Sequence, residues 1–328
     1  MARPAPAAVR ELPAPAEVGD IALLGTGTIG ASWATHFLAR GFSVTAWDPA
    51  PDAESRLGAF IDAAWPAMER LGLGPGADPA RVRVVDEPEH AVNGAVFVQE
   101  NAPEDQALKR ELYRCIDGAL SADTVVASSS SGLLISELQE GLKNGARFVV
   151  GHPFNPPHLV PLVEVVGGRD TDPATVDWAL SFYNAHGKRA IRVEREVPGH
   201  IANRLQAALL REAFQLLLSG TASAADIDAA VAHGPGLRWA FMGPFLTMHL
   251  AGGEGGTRGA LKHFGPGLER WWASGAPRLD DDAIETMGRA VDDMLEGQSI
   301  PTLAAERDSR LLALLAALDA TSPPSDEA

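Results

Sequence analysis

The chain has 328 residues, 46% of them hydrophobic and 21% charged, with a formal net charge of -16. That length gives room for one large or two medium domains around a buried core, and the composition excludes a disordered chain. The acidic balance argues against nucleic acid or an anionic membrane surface as a partner, and the single cysteine, Cys115, excludes an intrachain disulfide and points to a reducing, cytoplasmic setting.

Residues 1–18 are rich in Ala and Pro and broken by Arg3, Arg10 and Glu11, so they read as a disordered leader without the apolar centre of a signal peptide. No apolar stretch reaches bilayer length. Ile21 to Leu24 reads as a buried strand ending at Gly25, Thr28 to Arg40 as a helix stopped by Gly41, and Ser43 to Trp47 as a second strand ending at Asp48. This strand–helix–strand unit has the length of a parallel crossover. Pro51 to Leu73 reads as a helix, followed by apolar runs at Val82–Val85, Ala95–Gln99, Val125–Ala127, Phe148–Val150 and Leu162–Val166, with a helix at Glu104–Ala119.

After Val197-Pro198-Gly199 the texture becomes helical: Ile201–Ser219, Ser223–Ala232, Asp280–Glu296 and Ile300–Ala320. The expectation is an α/β fold with a doubly wound parallel sheet of Rossmann type over residues 19–198. An all-helical domain follows over 199–320, and 321–328 form a tail.

Gly25-Thr26-Gly27-Thr28-Ile29-Gly30 is a G-x-G-x-x-G placed between a strand and a helix. Gly25 allows the tight turn, Gly27 lets a pyrophosphate approach the backbone, Gly30 lets helix pack on strand, and Thr28 and Ile29 open the helix whose N-terminus receives the phosphates. Asp48, at the end of the second strand, is placed to accept hydrogen bonds from the adenosine ribose. Pro49, Ala50 and Pro51 follow it with no Arg for a 2′-phosphate, which favours NAD over NADP.

A second constellation lies in Gly151 to Gly168. His152 opens a proline-stiffened loop, and Glu164 falls between Val163 and Val165 in a run that reads as a buried strand. A buried carboxylate needs a partner, and His152 is the nearest candidate. Such a pair beside a nucleotide site suits a dehydrogenase that moves a proton while its cofactor moves a hydride. Other readings stay open: a helix-capping serine loop at Ser128–Ser131, a turn histidine, a solvent-facing edge-strand glutamate, a capping Asn203.

The motifs Ser128-Ser129-Ser130-Ser131, His152-Pro153-Phe154-Asn155-Pro156, Leu162-Val163-Glu164-Val165, Pro198-Gly199-His200-Ile201-Ala202-Asn203-Arg204 and Met242-Gly243-Pro244-Phe245 resemble the 3-hydroxyacyl-CoA dehydrogenase family from about Ile21 to Leu318. The resemblance implies a catalytic set of Ser131, His152, Glu164 and Asn203. It also implies contacts to NAD from Glu100, near the nicotinamide ribose, and from Asn155. It further implies a homodimer formed through the helical domain, and the apolar faces of Leu205–Leu218 and Leu303–Leu318 agree with that.

Within the family, Gly236-Leu237-Arg238-Trp239-Ala240-Phe241-Met242-Gly243-Pro244-Phe245 is similar to the bacterial L-carnitine dehydrogenase branch, while the serine run and Thr247-Met248-His249-Leu250 share features with the L-gulonate 3-dehydrogenase branch. Residues 63–78 hold one Arg and no Lys, which is poor provision for a CoA arm. The expected reaction is therefore oxidation of the 3-hydroxyl of a small 3-hydroxy acid, L-carnitine first. Arg238 is matched to the substrate carboxylate, and Trp239 and Phe241 to its quaternary ammonium, with Glu254, Trp271 and Trp272 as further candidates. No metal is expected. The rivals are L-gulonate or a 3-hydroxyacyl-CoA as substrate, or a non-catalytic NAD-binding protein. Asn203 and His200 depart from the carnitine pattern, where Asp and Phe are usual.

Overall fold

A computed structural model describes residues 12–15, 18–271 and 280–321. The chain divides into two compact units, Met1–Asn203 and Arg204–Ala328.

The first unit is built on one eight-stranded sheet. Its strands are β1 (Asp20–Leu24), β2 (Ser43–Trp47), β3 (Val82–Val85), β4 (Phe97–Glu100), β5 (Val125–Ser128), β6 (Phe148–Pro153), β7 (Leu162–Gly167) and β8 (Arg189–Arg192), in the spatial order β3-β2-β1-β4-β5-β6-β7-β8. Every neighbouring pair is parallel except β6 and β7. The helices are α1 (Thr28–Ala39), α2 (Ala53–Leu71), α3 (Pro88–Val92), α4 (Gln106–Asp117), α5 (Ile135–Leu138) and α6 (Pro173–Ala185). Strand order reverses between β1 and β4, where a crevice opens at the strand ends carrying Leu24 and Glu100.

The period-two alternation of the strands divides the core in two. Ile21, Leu23, Phe97, Ala127, Val163 and Val165 face one layer with Trp33, Phe37, Phe182 and Tyr183. Ala22, Leu24, Val98, Val126, Phe148 and Val150 face the other with Tyr113, Ile116 and Ile135. Burying a side chain such as Phe97 or Leu24 contributes roughly 1.5–3 kcal/mol. β8 escapes a pattern-based reading because Arg189 and Arg192 bracket a two-residue apolar core, as suits a charged edge strand.

The disorder expected over 1–18 is corrected where the chain is described. Trp178 Nε1 donates to the Pro13 carbonyl at 2.6 Å, His186 Nε2 contacts the Pro15 carbonyl at 3.0 Å, and Val18 is buried.

The described elements of the second unit are all helices: α7 (Ala202–Leu218, whose first two residues belong to the first unit), α8 (Ala224–Ala232), α9 (Gly236–Trp239), α10 (Pro244–Ala251), α11 (Gly256–Trp271), α12 (Asp281–Leu295) and α13 (Ile300–Thr321). Ser223 and Asp280 cap α8 and α12 by accepting from Asp226 N and Ala283 N, each at 3.1 Å. Among its described residues only Ala260, Ala283 and Leu312 are buried apolar side chains, while Leu205, Leu209, Leu246, Leu250, Phe264 and Ile284 are exposed. No described helix is long and apolar enough to cross a membrane.

Candidate active site

His152 and Glu164 are register partners across the β6–β7 ladder, so both side chains leave the sheet on one face. This corrects the reading of His152 as a loop residue: it is the last residue but one of β6, and the loop begins after Pro153. His152 Nδ1 lies 2.9 Å from Glu164 Oε2, with Glu164 0% and His152 4% exposed. Glu164 Oε1 accepts from Ile201 N at 2.8 Å and Ala202 N at 2.9 Å. Those two N–H groups are aimed by the turn before α7, in which Gly199 (φ 80°) and His200 (φ 46°) take consecutive left-handed conformations.

Burial by itself pushes Glu164 up. The His152 bond and the Ile201 and Ala202 amides outweigh it and hold the carboxyl below its ordinary range. An ionised Glu164 accepts, so His152 Nδ1 carries the hydrogen and its Nε2 presents a lone pair. That Nε2 lies 3.1 Å from Ser131 Oγ and 3.5 Å from Asn203 Nδ2. Ser131 is exposed and Asn203 half-buried. An imidazole, the carboxylate on its other ring nitrogen and two hydrogen-bonding side chains thus meet at one point.

Each serine of the run has its own partner. Ser128 Oγ donates to Glu100 Oε2 at 2.7 Å, Ser129 Oγ to Asn101 Oδ1 at 2.7 Å, and Ser130 Oγ to Glu104 Oε1 at 2.7 Å. Glu104 Oε1 also accepts from the successive amides of Ser131 (3.0 Å), Gly132 (2.7 Å) and Leu133 (3.3 Å), and so shapes the loop that presents Ser131.

The role expected for Glu100 is corrected. It is fully buried and takes bonds from Lys109 Nζ (2.6 Å), Tyr113 OH (2.5 Å), Ser128 Oγ and Ala102 N (2.6 Å), which leaves it nothing to offer a cofactor. The carboxylate of this segment that holds Ser130 and the amides of Ser131, Gly132 and Leu133 is Glu104. Sequence reasoning missed it because an acid just ahead of α4 looks like helix-end decoration.

In the sequence His200 stands out only as a departure from pattern. It is buried with its ring 5.1 Å from that of His152, and its Nε2 contacts the Ser130 carbonyl at 3.1 Å. Burial pushes its imidazole pKa down.

The glycine turn fits a dinucleotide. Gly25 has φ 90°, and a Cβ there would lie 2.9 Å from the Asn101 backbone. A Cβ on Gly30 would lie 1.9 Å from the Gly25 carbonyl oxygen, whereas one on Gly27 would meet open space. Gly27 is the N-cap of α1 and supplies no side-chain acceptor, which leaves the first-turn amides to an anion. Thr28 is exposed there, and Ile29 packs partly on the core.

Beside the turn is a cavity of about 750 Å³ whose lining includes Gly25, Gly27, Asp48, Arg56, Asn101 and Leu112. Asp48 Oδ2 accepts from Thr26 N at 2.7 Å and its Oδ1 from Ala50 N at 3.0 Å, which fixes the carboxylate at the cavity edge. Arg56 is near Asp48 in space though not in sequence, and it pairs with Asp52 at 3.2 Å. Asn155 is exposed on the loop after β6.

Arg238, Trp239 and Phe241 lie on and just after α9 in the second unit, all exposed, and Glu254 is exposed in a short turn before α11. Trp272 lies outside the described residues. Among the described residues no three His, Cys, Asp or Glu side chains are grouped to hold a metal ion.

The family model for 3-hydroxyacyl-CoA dehydrogenase, NAD binding domain, matches residues 20–197, and that for the 3-hydroxyacyl-CoA dehydrogenase C-terminal domain matches residues 199–279. An L-carnitine dehydrogenase of Streptomyces griseus is 52% identical over 316 residues, 96% of this chain and 94% of the relative. One of Streptomyces coelicolor is 50% identical over 313 residues, 95% and 98% of the two chains. Among solved structures, 5-formyl-3-hydroxy-2-methylpyridine 4-carboxylic acid 5-dehydrogenase, an NAD-dependent dismutase, is similar with a TM-score of 0.80 and 30% identity, covering 92% of this chain and 99% of that one.

Proposed function

The chain belongs to the 3-hydroxyacyl-CoA dehydrogenase family, and from that membership we propose that it oxidises L-carnitine to 3-dehydrocarnitine with NAD. The observation that carries the chemistry is the free Nε2 of His152, backed by Glu164 on Nδ1 and faced by Ser131 and Asn203. The relatives at about half identity support the substrate.

In this reading Ser131 and Asn203 hold the substrate hydroxyl against His152 Nε2 and fix its orientation. His152 takes the hydroxyl proton as the C3–H bond breaks. Glu164, already ionised, stabilises the imidazolium that results, and the Ile201 and Ala202 amides keep the carboxylate in place. Gly25, Gly27, Gly30 and the start of α1 hold the pyrophosphate of NAD, and Asp48 its adenosine ribose. NAD, when bound, supplies the hydride acceptor.

Incubation with NAD and, separately, L-carnitine, L-gulonate and 3-hydroxybutyryl-CoA tests the assignment through the absorbance of reduced cofactor. Turnover of L-carnitine at a kcat/KM at least about tenfold above the others is expected. Activity with the CoA ester alone refutes the substrate.

A homodimer formed through the second unit belongs to the same proposal. Its support is the apolar surface that the helices leave uncovered within one chain, including Phe245 (83% exposed) and Ile300 (81%). Light scattering at micromolar concentration should give twice the chain mass of 34.5 kDa, and a monomer removes the claim. A cytoplasmic site of action completes the proposal, supported by the single cysteine.

A further inference from the structure

We propose that His200 is a positioning residue that acts through Ser131: its Nε2–H fixes the peptide between Ser130 and Ser131 and so sets the Ser131 hydroxyl against His152 Nε2. This rests on the reading of His152 as the base given above. Two features of His200 count against the side chain it carries. Its φ of 46° is left-handed, a conformation that suits Gly or Asn and strains a bulky residue. It is 3% exposed, and its Nδ1 is buried with no hydrogen-bond partner among the described residues. A phenylalanine ring would bring no unmet polar atom to this place. What it would lack is a donor. His200 Nε2 lies 3.1 Å from the Ser130 carbonyl oxygen. A carbonyl only accepts, so the ring hydrogen is on Nε2 and Nδ1 is the bare nitrogen.

That bond falls at a joint of the site. The Ser130 carbonyl and the Ser131 amide belong to one planar peptide, so holding the first orients the second. The Ser131 carbonyl in turn accepts from Gly199 N at 3.0 Å. Two successive carbonyls of the serine loop therefore rest on Gly199 and His200. The next two amides, Ile201 N and Ala202 N, hold Glu164 Oε1. One turn thus grips Glu164, on the far nitrogen of the His152 ring, and the loop that presents Ser131 to the near one. Ser131 is exposed, and its hydroxyl lies 3.1 Å from His152 Nε2. Where that hydroxyl stands depends on how the backbone beneath it is held.

Histidine also meets a charge requirement. The His200 ring centroid is 5.1 Å from that of His152. A lysine or arginine donor at this place would set a permanent cation beside the imidazolium that the reaction forms. Burial pushes the His200 pKa down, and the charge of His152 acts in the same direction. Together they outweigh the Ser130 carbonyl, Glu164 and Glu104, which pull it up. The ring is therefore a neutral donor at and above about pH 7.

The test separates the donor from the ring. H200F keeps a flat ring and loses the donor, whereas H200Q keeps an amide N–H at the reach of Nε2 and loses the ring. Each is assayed alone and combined with S131A, using NAD and whichever of L-carnitine, L-gulonate and 3-hydroxybutyryl-CoA the unsubstituted enzyme turns over. H200F is expected to lower kcat about ten- to a hundredfold, the scale of a misplaced contact. The KM for the alcohol should move less than about threefold and NAD affinity should hold. H200Q should recover kcat to within about fivefold of the unsubstituted enzyme. In S131A, H200F should add less than about a twofold loss, because a residue that acts through Ser131 has nothing further to remove. H200M, also without a donor, gives the same reading should H200F fail to fold. An unchanged kcat in H200F, equal losses in H200F and H200Q, or the full H200F loss repeated in S131A would each overturn the proposal. Turnover of none of the three substrates by the unsubstituted enzyme would overturn the proposed reaction itself.

Discussion

Replacing His152 by glutamine lowers kcat by about 10²–10⁴ and leaves NAD affinity unchanged; that is the expected result if Nε2 is the base, since a positioned general base contributes on that order. The loss corresponds to roughly 3–5 kcal/mol of barrier. Glutamine is preferred to alanine because His152 is 4% exposed and packed against Phe154 and His200. Alanine would open a cavity there and leave Glu164 Oε2 without a donor, and an activity loss would then be confounded with damage to the fold. A glutamine amide donates to Glu164 as the imidazole does, but nothing in it takes a proton from an alcohol. NAD affinity, read from quenching of protein fluorescence, is expected to hold because the Gly25–Asp48 cavity does not include His152. The decisive pattern is kcat and kcat/KM falling together. A variant that keeps more than about a fifth of the parental kcat would exclude His152 as the base.

Much of this site is legible in the sequence, and the reason is local. The glycine turn, Asp48 and the β1–α1–β2 unit are encoded by contiguous residues whose spacing follows from backbone geometry. Glu164 is legible because a lone acid in Leu162-Val163-Glu164-Val165-Val166 must find a partner once the strand is buried. What the sequence leaves unsaid concerns distant pairing. Antiparallel register sets His152 opposite Glu164, and nothing between them announces that β7 turns back on β6. Glu104 meets the serine loop 27 residues later only because β4 and β5 are neighbours. The same adjacency turns Glu100 inward toward Lys109, Tyr113 and Ser128, while Glu104, four residues on, holds the Ser130 hydroxyl and the amides after it. In the second unit the periodicity of α7 and α12 is strong enough to read, and α13 is legible by its length without Gly after Ile300. By contrast α10 and α11 are broken up by Gly252 to Gly256 and by Pro266, residues that usually end helices.

The substitution Glu164→Gln should be as damaging as loss of the base, for a reason that lies in donor and acceptor counting. Glu164 now accepts three hydrogen bonds, from His152 Nδ1, Ile201 N and Ala202 N. A glutamine has one accepting oxygen and one donating nitrogen. The two amides belong to the backbone and cannot change, so the oxygen must face them and the NH₂ must face His152 Nδ1. That nitrogen then has to accept, which moves the imidazole hydrogen to Nε2, where the hydroxyl proton is to be received. The variant folds, binds NAD and holds its base in the wrong tautomer, and a kcat loss of about 10²–10⁴ follows.

Raising the pH should not restore activity, because the blocking hydrogen belongs to a neutral imidazole. Stability supplies an independent check. Glu164 has a folded pKa below its ordinary value, so its ionised form contributes to stability above the unfolded pKa of about 4.3. That contribution is lost as pH falls through the lower folded value. The difference in Tm between the parent and E164Q should therefore be constant from about pH 6 to 8 and shrink below about pH 4. A difference that widened on acidification would mean that Glu164 is not held as the anion, and the tautomer argument would fall with it.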